Sequence, residues 1–344
     1  MQNINKSKLI LQFHITGRCN LNCKHCYRSE GDIEPLSYEN IIGCIEQFIE
    51  LKNIYNQRNG IHKRGHINIT GGEPFIRTDI LDIISYLRNK NKDITFGILT
   101  NGSFIDSNII KLIKESKVSF VQLSLDGTKE IHDELRTKGD YERVLHTAEL
   151  LAKNNIRTYI SFTANKKNYK CLPDVAKECR KRRITKLWSD RMVPIGCGEA
   201  ISDLFIDSAT IPQYIKSLKK ARGGIFKRKL FSNTNIALER ALQFDNYKDN
   251  IYSCGAGKKL IAVDEKGNIM PCRRLPIVCG NILHDQLKEV FYNDGIFKSL
   301  QTDSIPKECM QCDYALFCKG GAKCQAYARH KDINRADPAC IYIS

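Results

Sequence analysis

Long apolar runs are missing from this chain of 344 residues: none approaches the roughly 18 consecutive apolar residues that a membrane helix requires. The stretch from Met1 to Leu11 likewise lacks the apolar core and small-residue cleavage site of a secretory signal. Both absences lead us to expect a soluble, cytoplasmic protein with no membrane partner. An excess of acid is absent too, since 54 Lys and Arg against 38 Asp and Glu leave a net charge of +16. The basic residues are spread along the chain, and runs such as Lys177 to Arg183 suit one solvated helix face, so nucleic acid is not an expected partner. A lysine-rich solvated surface accounts for the surplus; attraction to an acidic electron carrier or peptide is the alternative.

Cysteine, by contrast, is plentiful, with 15 residues. In a short secreted chain such a number would suggest disulfides, but in a long chain without an export signal close Cys spacings point to metal. The length suits a main domain plus an appendage.

From Leu9 to about Arg191, short β-branched runs alternate with longer amphipathic stretches, the pattern of βα units around a parallel sheet. Strands are predicted at Leu9 to Ile15, His66 to Ile69, Ile94 to Leu99, Val121 to Leu125, Ile156 to Thr163 and Ile184 to Val193. Helices are predicted near Tyr38 to Leu51, Asp79 to Asn89, Ser107 to Glu115, Tyr141 to Asn154 and Leu172 to Lys181, each with apolar residues at three-to-four spacing. Six repeats predict an α/β fold, a partial (β/α)6 TIM-type barrel, and a C-terminal cysteine-rich domain follows it. The expected division is a barrel over residues 1–200, a linking segment over 201–253 and the cysteine-rich domain over 254–344. In such barrels the chemistry gathers at the carboxyl ends of the strands.

Directly after the first strand comes Cys19-Asn20-Leu21-Asn22-Cys23-Lys24-His25-Cys26-Tyr27. Three thiolates can hold three irons of a cubane cluster and leave the fourth open to a cofactor or substrate. Zinc, with His25 as a cramped fourth ligand, is the other reading. At the end of the second strand stands Gly71-Gly72-Glu73-Pro74, whose glycines allow close backbone approach and whose carboxylate can accept from an ammonium group. Thr100-Asn101-Gly102 ends the third strand. Ser124-Leu125-Asp126-Gly127 ends the fourth, followed by His132, Asp133 and Arg136. Ser124 and Asp126, two apart on a strand, share a face; for His132, Asp133 and Arg136, ordinary helix-start roles compete with ligand contact.

The CxxxCxxC followed by an aromatic residue resembles the signature of the radical S-adenosylmethionine (SAM) superfamily, and Gly71 to Pro74 looks like its GGEP motif. The resemblance implies a catalytic four-iron four-sulfur cluster on Cys19, Cys23 and Cys26. It also implies SAM bound by Tyr27, Gly71, Gly72, Glu73, Pro74, Asn101, Ser124, Asp126 and Arg136, with the SAM ammonium at Glu73.

The tail carries Cys254, Cys272, Cys309-x2-Cys312-x5-Cys318, Cys324 and Cys340. Seven cysteines exceed one zinc, so two metal centres, or one centre plus structural thiols, are required. This arrangement resembles the SPASM domain of radical SAM enzymes that modify peptides and proteins. It departs from that family in placing five residues, not three, between Cys318 and Cys324. The resemblance implies an outer auxiliary cluster on Cys309, Cys312, Cys318 and Cys340 and an inner one on Cys254, Cys272 and Cys324. Cys279 is the candidate fourth ligand of the inner cluster; otherwise an iron there is open. Cys197, after the sixth strand, is a candidate ligand or hydrogen-atom donor to a substrate radical, against the simpler reading of a packed thiol. Cys44, Cys171 and Cys179 fall on predicted helices and are expected to pack.

By this resemblance the protein takes an electron from a low-potential donor such as flavodoxin or ferredoxin, cleaves SAM and abstracts hydrogen from a peptide or protein. The expected outcome is a thioether or carbon-carbon crosslink, or an epimerised residue. Sulfatase-type formylglycine formation and small-molecule cofactor assembly are the competitors. The first is disfavoured because Arg273 and Arg274 follow Cys272 where that branch places a carboxylate base. Only about eight residues precede the first strand, so recognition of a precursor is expected from the barrel or from a separate peptide-binding protein.

Overall fold

The computed structural model describes residues 8–28, 36–223, 234–237, 242, 252–302 and 304–343. Six strands, β1 (Ile10–His14), β2 (Gly65–Thr70), β3 (Ile94–Leu99), β4 (Val121–Ser124), β5 (Thr158–Ala164) and β6 (Lys186–Arg191), lie side by side in chain order, all parallel. On their outer face Leu11, Phe13, Ile67, Ile69, Ile98, Leu123, Phe162 and Leu187 are fully buried in the core. Alternate residues face inward and are mostly polar: Gln12, Asn68, Gln122, Ser161 and Trp188 border the cavities inside the sheet.

The outer layer is built from α1 (Tyr38–Asn59), α2 (Ile80–Asn89), α3 (Ser107–Glu115), α4 (Lys129–Leu135), α5 (Asp140–Lys153) and α6 (Leu172–Lys181). Ser37 caps α1 by accepting from the Asn40 amide at 3.2 Å, and Asp106 caps α3 by accepting from Ile109 at 2.8 Å. Helix α1 runs eight residues beyond the predicted end because its last two turns are held by buried side chains. The Lys52 ammonium pairs with Asp93 at 3.0 Å and Tyr55 stacks edge-on against Phe291, before Gly60 ends the helix at φ 60°. Helix α4 was not expected, and β6 is shorter at both ends than the predicted strand.

Among the described residues the barrel does not close. Strand β6 pairs on its free side with β7 (Asn235–Ile236), while β1 pairs in parallel with β8 (Leu260–Val263) in the register Ile10↔Leu260. Strands β9 (Asn268–Met270) and β10 (Gly280–Asn281) continue the sheet antiparallel, giving ten strands in the order β10-β9-β8-β1-β2-β3-β4-β5-β6-β7. The cysteine-rich tail is therefore built onto the edge of the barrel's own sheet. Within the segment read as a linker, α7 (Ile211–Arg222) forms on Ile211, Tyr214, Leu218 and Ala221, all buried, and packs on α6. Among the described residues, no helix is long and apolar enough to cross a membrane.

Candidate active site

The Cys19–Cys26 loop is held from three sides. From β2, the Gly72 amide donates to Thr16 O at 2.9 Å and the Glu73 amide to Arg18 O at 2.8 Å. A Cβ on Gly71 would lie 2.3 Å from Thr16 O and one on Gly72 2.1 Å from Arg18 O, and Gly71 has φ +144°. The close approach for which the paired glycines are needed is thus to the cysteine loop itself, although both also line the cavity. From β3, Asn101 donates to Asn20 Oδ1 at 2.8 Å, and Asn20 donates to Ser103 Oγ at 3.0 Å. From α4, the Lys24 amide donates to Leu135 O at 2.9 Å and Arg136 Nη1 approaches Cys23 Sγ at 3.7 Å.

Glu73 is completely buried and lies behind the cavity wall rather than on it. One oxygen accepts from Thr100 Oγ1 at 2.7 Å and Phe75 N at 3.2 Å, the other from Asn101 N at 2.7 Å. Burial raises its pKa, partly offset by these donors. In this structure Glu73 positions the end of β3, and Pro74 opens a short 3₁₀ turn over Pro74–Ile76. Asp126, expected beside Ser124 on the ligand face, also stands behind the wall. Its carboxylate accepts from Arg136 Nε at 2.7 Å and Thr163 N at 2.7 Å, with His25 Nε2 at 3.2 Å. Burial would raise this carboxyl, but Arg136 and then His25 outweigh it and hold it well below the usual carboxylate range. His132 accepts from the Asp126 amide at 3.0 Å and meets Asp140 at 2.9 Å, while Asp133 accepts from Gly139 and Tyr141 amides at 2.8 Å. Of that trio only Arg136 reaches the cavity.

A cavity of about 210 Å³ opens at the carboxyl ends of the strands. Cys19, Cys23, Cys26, Tyr27, Asn101, Ser124 and Arg136, all named from the sequence, border it. Sequence reasoning missed Thr163 on β5, Trp188 and Asp190 on β6, and the placement of Arg273 and Arg274 in the cavity lining. Period-two polarity along β5 and β6 was the available signal. The Tyr27 hydroxyl is 3.2 Å from His14 Nε2. His14 in turn faces Glu265 at 3.9 Å, and Glu265 pairs with Arg28 at 2.7 Å.

Cys197 is not on the cavity wall. Its thiol donates to Arg28 O at 3.1 Å and the Gly198 amide donates to Cys26 O at 3.0 Å, so residues 196–198 buttress the back of the cysteine loop. Donation of a hydrogen atom into the cavity gains no support from that position. Cys44, Cys171 and Cys179 are buried, as expected for packing thiols.

No disulfide joins any of the 15 cysteines. In the tail, Cys309, Cys312, Cys318 and Cys340 line one small pocket. Cys254, Cys272 and Cys324 form a second group whose thiols lie close enough to perturb one another; burial first, opposed by Arg274, pushes Cys324 up to about 12. Cys279 is not brought to them: its thiol donates to Ile277 O at 3.5 Å beside Asp294, and burial and that carboxylate push it up to about 12. A buried pair of Arg191 with Asp337, 2.9 Å between Nη1 and Oδ1, ties the end of β6 to the segment before Cys340. Asp337 also accepts from the Ala322 and Ala339 amides at 3.1 Å.

Among the described residues, no three His, Cys, Asp or Glu side chains converge on a point as a single metal ion requires. The donor sets do fit iron-sulfur clusters. Three thiols share one loop with a guanidinium against one of them, and four thiols line one pocket. The Lys323 ammonium, buried and without a hydrogen-bond partner among the described residues, sits among Cys254, Cys309 and Cys318, where thiolates would balance it.

Residues 13–179 match the radical SAM superfamily and residues 254–313 match the SPASM iron-sulfur cluster-binding domain, so the chain belongs to the radical SAM superfamily and carries a SPASM domain. It is an enzyme of radical redox chemistry whose cofactors are SAM and iron-sulfur clusters. Among curated relatives, it is 24% identical to the AdoMet-dependent heme synthase of Methanosarcina barkeri, over 97% of this chain and 96% of that protein. It is 25% identical to the mycofactocin maturase MftC of Mycolicibacterium smegmatis, over 97% and 82%. Among solved structures, Streptococcus suis SuiB bound to its precursor peptide SuiA superposes with a TM-score of 0.75 at 18% identity, covering 97% of this chain and 76% of that one. His-tagged anSMEcpe with bound AdoMet gives 0.77 at 20% identity, covering 97% and 94%. These likenesses to solved structures show the fold.

Proposed function

We propose that this enzyme matures a ribosomally made peptide, forming a thioether or carbon-carbon crosslink or epimerising a residue, in the cytoplasm and with electrons from a low-potential flavodoxin or ferredoxin. The observation that carries the reading is the shared cavity: Arg273 and Arg274, next to the inner thiol Cys272, line the same cavity as Cys19, Cys23 and Cys26. A substrate held there is within reach of both the N-terminal loop and the arginines of the SPASM module of residues 254–344. The MftC and SuiB likenesses support a peptide as that substrate.

In this reading Cys19, Cys23 and Cys26 hold the catalytic cluster, and Tyr27, Gly71, Gly72, Asn101, Ser124 and Arg136 border the SAM site. Cys309, Cys312, Cys318 and Cys340 hold the outer auxiliary cluster and Cys254, Cys272 and Cys324 the inner one. Bound together, the catalytic cluster and SAM supply a hydrogen-abstracting radical. The chain's own residues orient and exclude. Glu73 and Asn101 fix the loop carrying Cys19 and Cys23, Asp126 aims Arg136 at Cys23, and the enclosing wall keeps water from the reacting centre.

A tetrapyrrole is the second reading, favoured by the near full-length match to the heme synthase. Formylglycine formation is the weakest. The acid on the cavity wall, Asp190, is taken by Arg274 at 2.6 Å, and arginines stand where that chemistry would want a carboxylate base. The test is anaerobic reconstitution, SAM, reductant and a panel of candidate short peptides, including any encoded beside the enzyme, followed by mass spectrometry. Loss of two hydrogens marks a crosslink; an unchanged mass with one deuterium gained in heavy water marks epimerisation. Unmodified peptides together with turnover of a tetrapyrrole would overturn the peptide reading.

A further inference from the structure

Five arginines border the cavity: Arg28, Arg136, Arg191, Arg273 and Arg274. Four are matched one to one with carboxylates. Arg28 meets Glu265 at 2.7 Å, Arg136 meets Asp126 at 2.7 Å, Arg191 grips Asp337 with 2.9 Å between Nη1 and Oδ1, and Arg274 meets Asp190 at 2.6 Å. The fifth, Arg273, has no carboxylate partner among the described residues. Its amide donates to Gln12 Oε1 at 3.4 Å, and its guanidinium lies 5.7 Å from the centre of the Tyr27 ring. Among the described residues, the cavity wall therefore carries one positive charge that no carboxylate answers.

The location of that charge is specific. Beneath the cavity lies a more open cleft of about 260 Å³, lined by Gln12, Asn68, Tyr159 and Lys186 among others. Arg273, Leu99, Gln122 and Trp188 border both spaces, so Arg273 stands where one passes into the other. Each solvated arginine is easily left unpaired, but one that a bulky substrate shuts away from water is not, because desolvation penalises an unanswered charge. A carboxylate arriving with the substrate would meet a planar fork of donors suited to bidentate pairing.

We infer that Arg273 is a specificity determinant that receives a carboxylate of the peptide substrate, either an Asp or Glu side chain or the C-terminal carboxylate. This rests on the peptide reading above. The carboxylate adds no chemistry of its own; it fixes the register of the peptide between the Cys19–Cys26 loop and the SPASM module.

The test is equilibrium dialysis of the cluster-loaded, SAM-bound enzyme against four labelled peptides. Two are blocked pentaglycines with a central Glu or Gln, and two are N-acetyl pentaglycines ending in a free carboxylate or an amide. Binding at least tenfold tighter for one carboxylate peptide than for its neutral partner is expected, and which pair shows it identifies the source. Arg273→Gln should abolish the difference, Arg273→Lys should keep part of it, and Arg273→Glu should shift preference to a peptide with a central lysine. Equal retention of all four peptides, retention of none, or a preference that survives Arg273→Gln overturns the inference. So does a parallel loss of SAM affinity in Arg273→Gln, which would assign the arginine to the carboxylate of SAM. Formation of 5′-deoxyadenosine by the unaltered enzyme is recorded separately, so failure of the radical reading is distinguishable from failure of this one.

Discussion

Replacing Asp126 by Asn tests the buried frame behind the cysteine loop. The carboxylate of Asp126 is inaccessible to solvent and accepts from Arg136, from the Thr163 amide, and lies against His25. An amide in its place keeps the shape but removes the charge that Arg136 requires, and turns one acceptor into a donor facing donors. Stranding one member of a buried pair costs about 3–5 kcal/mol. With an unfolding entropy of about 2.1 cal/mol/K per residue over 344 residues, that is a fall in melting temperature of about 4–7 °C. Scanning fluorimetry under anaerobic conditions reads it directly. The double variant Asp126→Asn/Arg136→Met removes the stranded cation and should recover much of the loss, because the two changes share one interaction. An Asp126→Asn protein melting within about 1 °C of the parent would refute the claim that this pair holds the loop.

Gly72→Ala drives a Cβ to 2.1 Å from Arg18 O, so the cysteine loop must move; iron content should fall by about four atoms per chain while the auxiliary iron stays. An unchanged iron count would contradict this. Arg191→Met strands the buried Asp337 carboxylate and should loosen the segment holding Cys340, seen as faster proteolysis of the tail and loss of auxiliary iron, with the N-terminal cluster retained. Acid should destabilise the fold through His66 and His132. Burial, aided by Lys8 and by Arg136 respectively, pushes both down to about 4, against about 6.5 in the unfolded chain. Unfolded imidazoles then take up protons that the folded ones refuse, so stability present above pH 6.5 drains away towards about pH 4. Melts across that window measure the slope, which His66→Gln should reduce.

Much of this was legible because it is local. CxxxCxxC after a β-branched run, paired glycines after the next and Cys309-x2-Cys312-x5-Cys318 in the tail each declare themselves within ten or so residues, and six βα repeats follow from periodicity. Pairing across the whole chain was not legible. Nothing in Leu260–Val263 says that it will lie beside Ile10–His14, yet that pairing joins the segment carrying Arg273 to the barrel, where Arg273 lines the same cavity as Cys19. Burial reassigned other residues. Glu73 and Asp126 stand in motif positions and have ligand chemistry, but the neighbouring donors Thr100, Asn101 and Arg136 engage them from behind the wall. Helix α7 is legible in Ile211, Tyr214 and Leu218 at helical spacing with Pro212 in the first turn, but it lies beyond the last βα alternation, where no strand marks it.

The central claim is that Cys19, Cys23 and Cys26 hold the cluster that reduces SAM. Chromatographic assay of 5′-deoxyadenosine from SAM and dithionite, under strict anaerobiosis, compares the reconstituted protein with a variant carrying alanine at all three positions. The account predicts steady formation by the first and none by the second, which should still bind iron through its C-terminal thiols. Deoxyadenosine produced by the triple variant at the parent's rate would contradict it.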